Sequence, residues 1–176
     1  MKRILAAAAL LSAAIAAPAH AQLEEGAEAP VFSADGYLAG QPFSFDMADA
    51  LSEGPVVLYF FPAAFTPGCN LEASLFAEAA DDFAEAGATL IGATAGNTDR
   101  LSEFSEKHCA SKFPVAAVSD EVIAAYDVAL EQREGWSNRT SYVIAPDGAV
   151  AMSYTDSAPN DHVTKTLDAV TAISAD

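Results

Sequence analysis

The most regular hydrophobic feature of the chain is Pro55-Val56-Val57-Leu58-Tyr59-Phe60-Phe61-Pro62, apolar throughout and closed by proline at both ends. A run of this length with no polar alternation, rich in β-branched and aromatic residues, predicts a strand buried on both faces. Residues 63–68 contain Pro67 and Gly68 and read as a loop. From Cys69 the period changes. Leu71, Leu75, Phe76, Ala79 and Phe83 recur at helical spacing, and Gly87 closes a single helix. Residues 89–93 predict a second buried strand. Residues 99–108 predict a polar helix that buries Leu101 and Phe104, and 113–118 a strand with Pro114 near its start. Residues 121–126 read as helix and 130–138 as a polar connection. Residues 141–145 and 149–154, joined by Pro146-Asp147-Gly148, predict a hairpin, and Val163, Leu167 and Val170 mark a last amphipathic helix. Ahead of the first buried strand, 22–30 form a polar entry arm. Residues 31–34 and 42–45 read as short strands, with turn signals at Asp35-Gly36 and Ala39-Gly40, and 46–52 as one or two helical turns.

Two short strands, then strand-helix-strand-helix-strand, then a hairpin and a helix make an α/β chain. Its layout is that of a thioredoxin-like fold, a central mixed sheet flanked by helices. The pattern shows no internal repeat and no second domain. The first 21 residues stand apart from it. Lys2 and Arg3 precede an alanine- and leucine-rich stretch from Ile4 to Ala17, too short for a spanning helix, and Ala19-His20-Ala21 supplies a small-x-small cleavage pattern. Residues 1–21 are therefore expected to be a signal peptide of bacterial type, and 22–176 a single domain exported to the periplasm or secreted.

The charge balance narrows the partners. Eight Lys+Arg against 25 Asp+Glu give a formal charge of −17. Without Lys2 and Arg3 the balance is six against 25, or −19. An acidic surface of this kind argues against nucleic acid and anionic membranes as partners. Two cysteines are too few for a disulfide-rich scaffold or a four-thiolate zinc site. His108 and His162 have no partner at ligand spacing, and His108-Cys109 alone is a weak metal signal.

The informative segment is Pro62-Ala63-Ala64-Phe65-Thr66-Pro67-Gly68-Cys69, which joins the buried strand to the helix. It puts a thiol in a first helical turn, where unpaired N–H groups and the helix dipole favour the thiolate. Two kinds of active site use a thiol in this place. A disulfide exchanger needs Cys-x-x-Cys, and the position three before Cys69 is Thr66. A peroxidase needs a nucleophilic sulfur and a group that stabilises the departing oxygen. Pro62, Thr66 and Cys69 in the pattern Pro-x-x-x-Thr-x-x-Cys resemble the active-site loop of the peroxiredoxins, the AhpC/TSA superfamily. "TPGC" followed by Glu72-Ala73 is most similar to the bacterioferritin-comigratory, or Q-type, branch, and "PAAFTPGC" also resembles the type-5 branch. The likeness runs from about Gly26 to the C-terminal helix.

That resemblance implies reduction of hydrogen peroxide and organic hydroperoxides, with no metal, haem, flavin or other cofactor. It makes Cys69 the peroxidatic cysteine, Thr66 the hydroxyl that contacts thiolate and peroxide, and Pro62 the shield against water. Arg139, in "NRTSYVIAPDG", resembles the arginine that stabilises the thiolate and polarises the peroxide, and Glu72 a glutamate that helps to position it. A guanidinium suits the task because it stays charged and offers several donors in fixed geometry. Phe65 and Trp136 are candidates to line an entrance, although buried packing is the commoner fate of such rings. Q-type members often carry a resolving cysteine five residues after the first, but Ser74 stands there. Cys109, which follows the helix of residues 99–108, resembles the resolving cysteine of other Q-type members; the bland alternative is a one-cysteine enzyme. The partners implied are a peroxide and a thiol reductant, protein or small dithiol, acting on a monomer or homodimer. Two rival readings are a binding domain stapled by Cys69–Cys109 and a thiol-disulfide oxidoreductase. For the leader, chain exported from a bacterial host should have an intact mass beginning at Gln22. Full-length chain in the membrane fraction would identify an anchor instead.

Overall fold

The computed structural model describes residues 22–174, so the leader of residues 1–21 lies outside the described part. Strands β1 (Ser33–Leu38), β2 (Gln41–Asp46), β3 (Val56–Phe60), β4 (Thr89–Thr94), β5 (Val115–Ala117), β6 (Thr140–Ile144) and β7 (Val150–Thr155) form one sheet. Its order is β2-β1-β5-β4-β3-β6-β7. β3, β4 and β5 run parallel, while β6 pairs antiparallel with the other side of β3. The helices are α1 (Met47–Glu53), α2 (Pro67–Glu78), α3 (Ala80–Glu85), α4 (Leu101–Lys107), α5 (Asp120–Ala125) and α6 (Asn160–Ser174). This is the mixed sheet flanked by helices that the order of elements predicts. Among the described residues no helix is long and apolar enough to cross a membrane.

β3 is buried along its whole length because both faces of the sheet are covered. The pleat sends Val57, Tyr59 and Phe61 into one core with residues of α2, α3, α4 and α6, including Phe76, Phe83, Phe104 and Val170. Val56, Leu58 and Phe60 enter a second core with Met47 and Leu51 of α1 and Ile123 of α5. In the first core Tyr59 stacks on Phe76 with ring centroids 4.3 Å apart, and Phe61 stacks on Phe104 at 5.4 Å. These contacts fix α2 and α4 on one face of the sheet. Both cysteines lie in that core.

Three local readings are corrected. Asp35-Gly36 is not a turn but the middle of β1, a strand longer and later than residues 31–34. A Cβ on Gly36 would lie 2.1 Å from the Val115 carbonyl oxygen, so this glycine serves close strand approach. The turn is Ala39-Gly40 alone, with φ of 51° and 76°, the left-handed pair that a two-residue hairpin loop needs. The predicted helix of residues 69–87 begins earlier, at Pro67, and breaks at Ala79 (φ −94°, ψ 0°) into α2 and α3. The break re-aims the chain so that Ala80 and Phe83 remain on the core of Phe76.

Candidate active site

The loop between β3 and α2 is stitched to the end of β4. Ala64 N donates to the Gly96 carbonyl at 3.1 Å, and the Asn97 side chain donates to the Ala64 carbonyl at 2.9 Å. The Thr94 hydroxyl donates to the Pro62 carbonyl at 3.3 Å and accepts from Gly96 N at 3.0 Å. A Cβ on Gly96 would sit 2.2 Å from the Pro62 carbonyl oxygen, so the crossing depends on glycine. Phe65 takes a left-handed backbone (φ 62°). Its ring packs on Phe104 and His108 beneath the Arg100 guanidinium, which places it on α4. Trp136 stacks under Arg133.

Pro67 occupies the first turn of α2, where its missing N–H costs nothing. Cys69 is the third residue of the helix and only 1% exposed. Thr66 precedes the helix without a side-chain capping bond; its hydroxyl donates to the Ala63 carbonyl at 3.1 Å. The lone pairs of that hydroxyl remain acceptors. Pro62 is half-buried at the other end of the loop.

Arg139, one residue ahead of β6, brings its guanidinium to the thiol. Nη2 donates to Cys69 Sγ at 3.6 Å, Nε to the Ser157 carbonyl at 3.0 Å, and Nη1 to Glu72 Oε2. A Cβ on Gly68 would lie 3.0 Å from Nη2, so Gly68 leaves the guanidinium its place beside the sulfur. Arg139 is buried, and Glu72, one turn after Cys69, is fully so. Burial pushes the Glu72 carboxyl up to about 8, and the adjacent guanidinium only partly offsets this. Glu72 Oε1 has no hydrogen-bond partner.

Behind Glu72 lies His162, in the first turn of α6, with Nδ1 3.7 Å from Oε1. Its Nε2 meets the Asp156 carbonyl at 3.1 Å and its Nδ1 the Ser141 hydroxyl at 2.8 Å. A carbonyl only accepts, which assigns the proton of the neutral ring to Nε2 and makes Nδ1 an acceptor from Ser141. Burial lowers the basicity of His162, as does the Arg139 charge; Asp156 and Asp161 oppose both. No sequence motif marks His162, because its partner belongs to a distant helix.

Cys109 follows α4 and is fully buried as a free thiol, as is Cys69. Burial pushes the Cys109 thiol well up, against the opposing effect of the Tyr59 hydroxyl. That hydroxyl has no hydrogen-bond partner of normal geometry. Its own ionisation is driven upward by burial and then by the charges of Cys109, Glu72 and Cys69. Tyr59 thus sits near both thiols, a placement hidden in the sequence inside an apolar run. After Cys109 the chain takes two successive left-handed residues, Ala110 (φ 48°) and Ser111 (φ 60°). Among the described residues no cluster of three or more His, Cys, Asp or Glu could hold a metal ion. A cavity of about 540 Å³ opens beside Tyr37, Phe43 and Leu101 and includes none of the residues around Cys69.

The Glu72 carboxyl gives a stability test. Its folded-state value near 8 stands above the ordinary carboxyl value of 4.5, so the folded chain binds a proton that the unfolded chain has released. That stabilisation is complete below about pH 4.5 and is lost as pH rises through 8. His162 works in the opposite sense, but only below its ordinary value of 6.5. Between pH 6.5 and 8 the thermal midpoint of Glu72→Gln should therefore fall less with pH than that of the wild type. Parallel profiles would show that Glu72 is already ionised in the fold.

The AhpC/TSA family model matches residues 26–153. The chain is 30% identical to the chloroplastic peroxiredoxin Q of Suaeda salsa over 151 residues, which cover 84% of this chain and 67% of that protein. It is 32% identical to the chloroplastic peroxiredoxin Q of Sedum lineare over 117 residues, or 64% of this chain and 61% of that one. The chain thus spans about three-fifths to two-thirds of the length of these two plant relatives. Among solved structures, the peroxidoxin BcpB of Mycobacterium tuberculosis superposes with a TM-score of 0.76 at 28% identity, over 86% of this chain and 98% of that one. The family match runs from ahead of β1 into β7, including the Cys69 loop and Arg139. On that match and these likenesses, the chain belongs to the AhpC/TSA family, the peroxiredoxins.

Proposed function

We propose that the domain is a thiol-dependent peroxidase for hydrogen peroxide and organic hydroperoxides, with Cys69 as its nucleophile. The observation that carries the reading is the Arg139 guanidinium donating to the sulfur of a cysteine in a first helical turn. Helix N–H groups and a buried cation together favour thiolate over thiol. The thiolate attacks one peroxide oxygen. A sulfur–oxygen bond forms, the oxygen–oxygen bond breaks, and the electron pair leaves on the second oxygen. Sulfur becomes the sulfenic acid, and the departing alkoxide or hydroxide takes a proton to become alcohol or water. Arg139 faces the charge throughout, Thr66 offers its hydroxyl as acceptor to the peroxide O–H, and Pro62 screens the loop from water. No metal or organic cofactor takes part, because sulfur carries both electrons.

Cys109 is the resolving thiol of this proposal. Its thiol attacks the sulfenic acid, a disulfide forms and water leaves; a reductant protein or small dithiol then restores both thiols. In the folded core Cys109 is held protonated by burial and is a poor nucleophile. Resolution therefore requires local unfolding of the first turn of α2 and of the segment after α4. The left-handed pair Ala110-Ser111 favours that opening, since each non-glycine residue in this conformation costs about 1–2 kcal/mol. The reading is completed by cleavage of residues 1–21, a periplasmic or secreted location, and a monomer or homodimer.

Peroxide consumption with a dithiol reductant tests the reading against a stapled binding domain and a thiol-disulfide oxidoreductase, neither of which turns over peroxide. Cys69→Ser should abolish consumption, and Arg139→Ala should lower it roughly 10²–10³-fold, the usual loss of one charge-stabilising donor. Retention of wild-type turnover by Cys69→Ser would end the proposal. For resolution, one equivalent of peroxide should yield an intramolecular Cys69–Cys109 disulfide by peptide mapping. Cys109→Ser should accumulate Cys69 sulfenic acid and over-oxidise sooner. A persistent sulfenate in the wild type, with equal turnover by Cys109→Ser, would make the enzyme one-cysteine.

A further inference from the structure

The reactive sulfur is backed by one more buried acid-base group than the reaction itself uses. Glu72 bonds Arg139 through Oε2, while Oε1 is fully buried, without a hydrogen-bond partner, and 3.7 Å from His162 Nδ1. With the ring proton on Nε2, an ionised Oε1 would face a nitrogen lone pair, an arrangement that buried charge does not tolerate well. One proton resolves the conflict. It sits on Glu72 and points at Nδ1, the Ser141 hydroxyl then turning its own proton away, or on Nδ1 between Glu72 and an accepting Ser141 oxygen, and a small side-chain rotation closes the gap.

We propose that His162 is a positioning residue for the Cys69 site: with Glu72 it holds one proton behind Arg139, and that proton decides how much of the guanidinium's charge is left for the sulfur. With the proton present, the Glu72–His162 pair is neutral as a unit and the Arg139 charge faces Cys69 undiminished. With the proton gone, the Glu72 carboxylate cancels that charge. Thiolate at Cys69 and a proton on the pair therefore favour one another, an exchange that conserves charge within the core. Burial supports the proton's residence, since it raises the Glu72 carboxyl to about 8.

The surroundings of His162 leave this pair in control. From α6 itself come Asp161, exposed at the surface, and the Thr166 hydroxyl, which bonds the His162 carbonyl. β6 supplies Ser141, and β7 the Tyr154 ring with centroids 4.8 Å apart. The Asp156 carboxylate is occupied by Ala158 N at 2.8 Å and the Tyr154 hydroxyl at 3.3 Å, and Lys165 lies over the Tyr154 ring. α2 contributes Glu72, and Arg139 the neighbouring cation. α3 packs at the far end of α6, where the Ser174 hydroxyl bonds the Ala86 carbonyl.

The inference rests on Cys69 being the reactive thiolate, but its test does not require peroxide. In full-length protein carrying Cys109→Ser, the rate of Cys69 alkylation by iodoacetamide is followed against pH by intact mass, with thermal melts to verify folding. His162→Gln keeps a donor for the Asp156 carbonyl and offers nothing titratable at Nδ1. It should raise the alkylation midpoint by about one pH unit, roughly a tenfold loss of thiolate on the acid limb. Glu72→Gln, a permanently neutral partner for Arg139, should lower the midpoint, and adding His162→Gln to it should change nothing further. If His162→Gln leaves the folded protein's profile unmoved, or shifts it equally in both backgrounds, His162 is a packing residue and the proposal fails. Wild-type protein that consumes no peroxide while its variants show the expected pattern would sink the peroxidase reading and support this one.

Discussion

The structure turns on a guanidinium taken out of water. Burying Arg139 costs several kcal/mol before any partner is counted, and in a buried site only good geometry recovers that cost. Here the Ser157 carbonyl, Glu72 and the Cys69 sulfur each take a different nitrogen. Those acceptors come from the chain after β7, from α2, and from α2 again one turn earlier. α2 is held in reach by its stack on β3, and α6 closes the space behind Glu72 with His162. Loss of any one partner leaves a charge or a carboxylate stranded in the core, so the reactive centre and the packing of that face form a single unit.

Much of this was legible in the chain because local chemistry fixes it. The apolar run from Val56 to Phe61 has only one comfortable place, the middle of a sheet covered on both sides. Pro62, Pro67 and Gly68 force a loop, and a cysteine directly after them falls in a first helical turn. Arg139 was marked by the likeness of its segment to the family's, together with the Cys69 loop, and not by its own neighbours. Reading failed where the deciding neighbour is remote. Gly36 looked like a turn residue, since nothing nearby reveals that Val115 crosses it. The break at Ala79 has no proline or glycine to announce it. Tyr59 was submerged in its own strand, and His162 had no partner within the spacing that a motif can express.

The two thiols show how one core can give the same functional group opposite character. Cys69 and Cys109 share an apolar cluster and are equally hidden from solvent. Cys69 has helix N–H groups and a cation around it, whereas Cys109 has aromatic rings and an unbonded phenol close by. Burial pushes the Cys109 thiol up and keeps it protonated, whereas the Cys69 sulfur has a guanidinium donor in hydrogen-bond reach.

The parts of the reactive centre are also spread along the direction of synthesis. Cys69 emerges early, Arg139 follows long after, and His162 arrives with the last helix. Until residues 157–162 have emerged, Arg139 lacks the Ser157 carbonyl and Glu72 lacks the ring behind it. The loop that carries Cys69 is thus made well before the residues that surround its sulfur, and a chain truncated before α6 would leave Glu72 Oε1 without the His162 ring beside it.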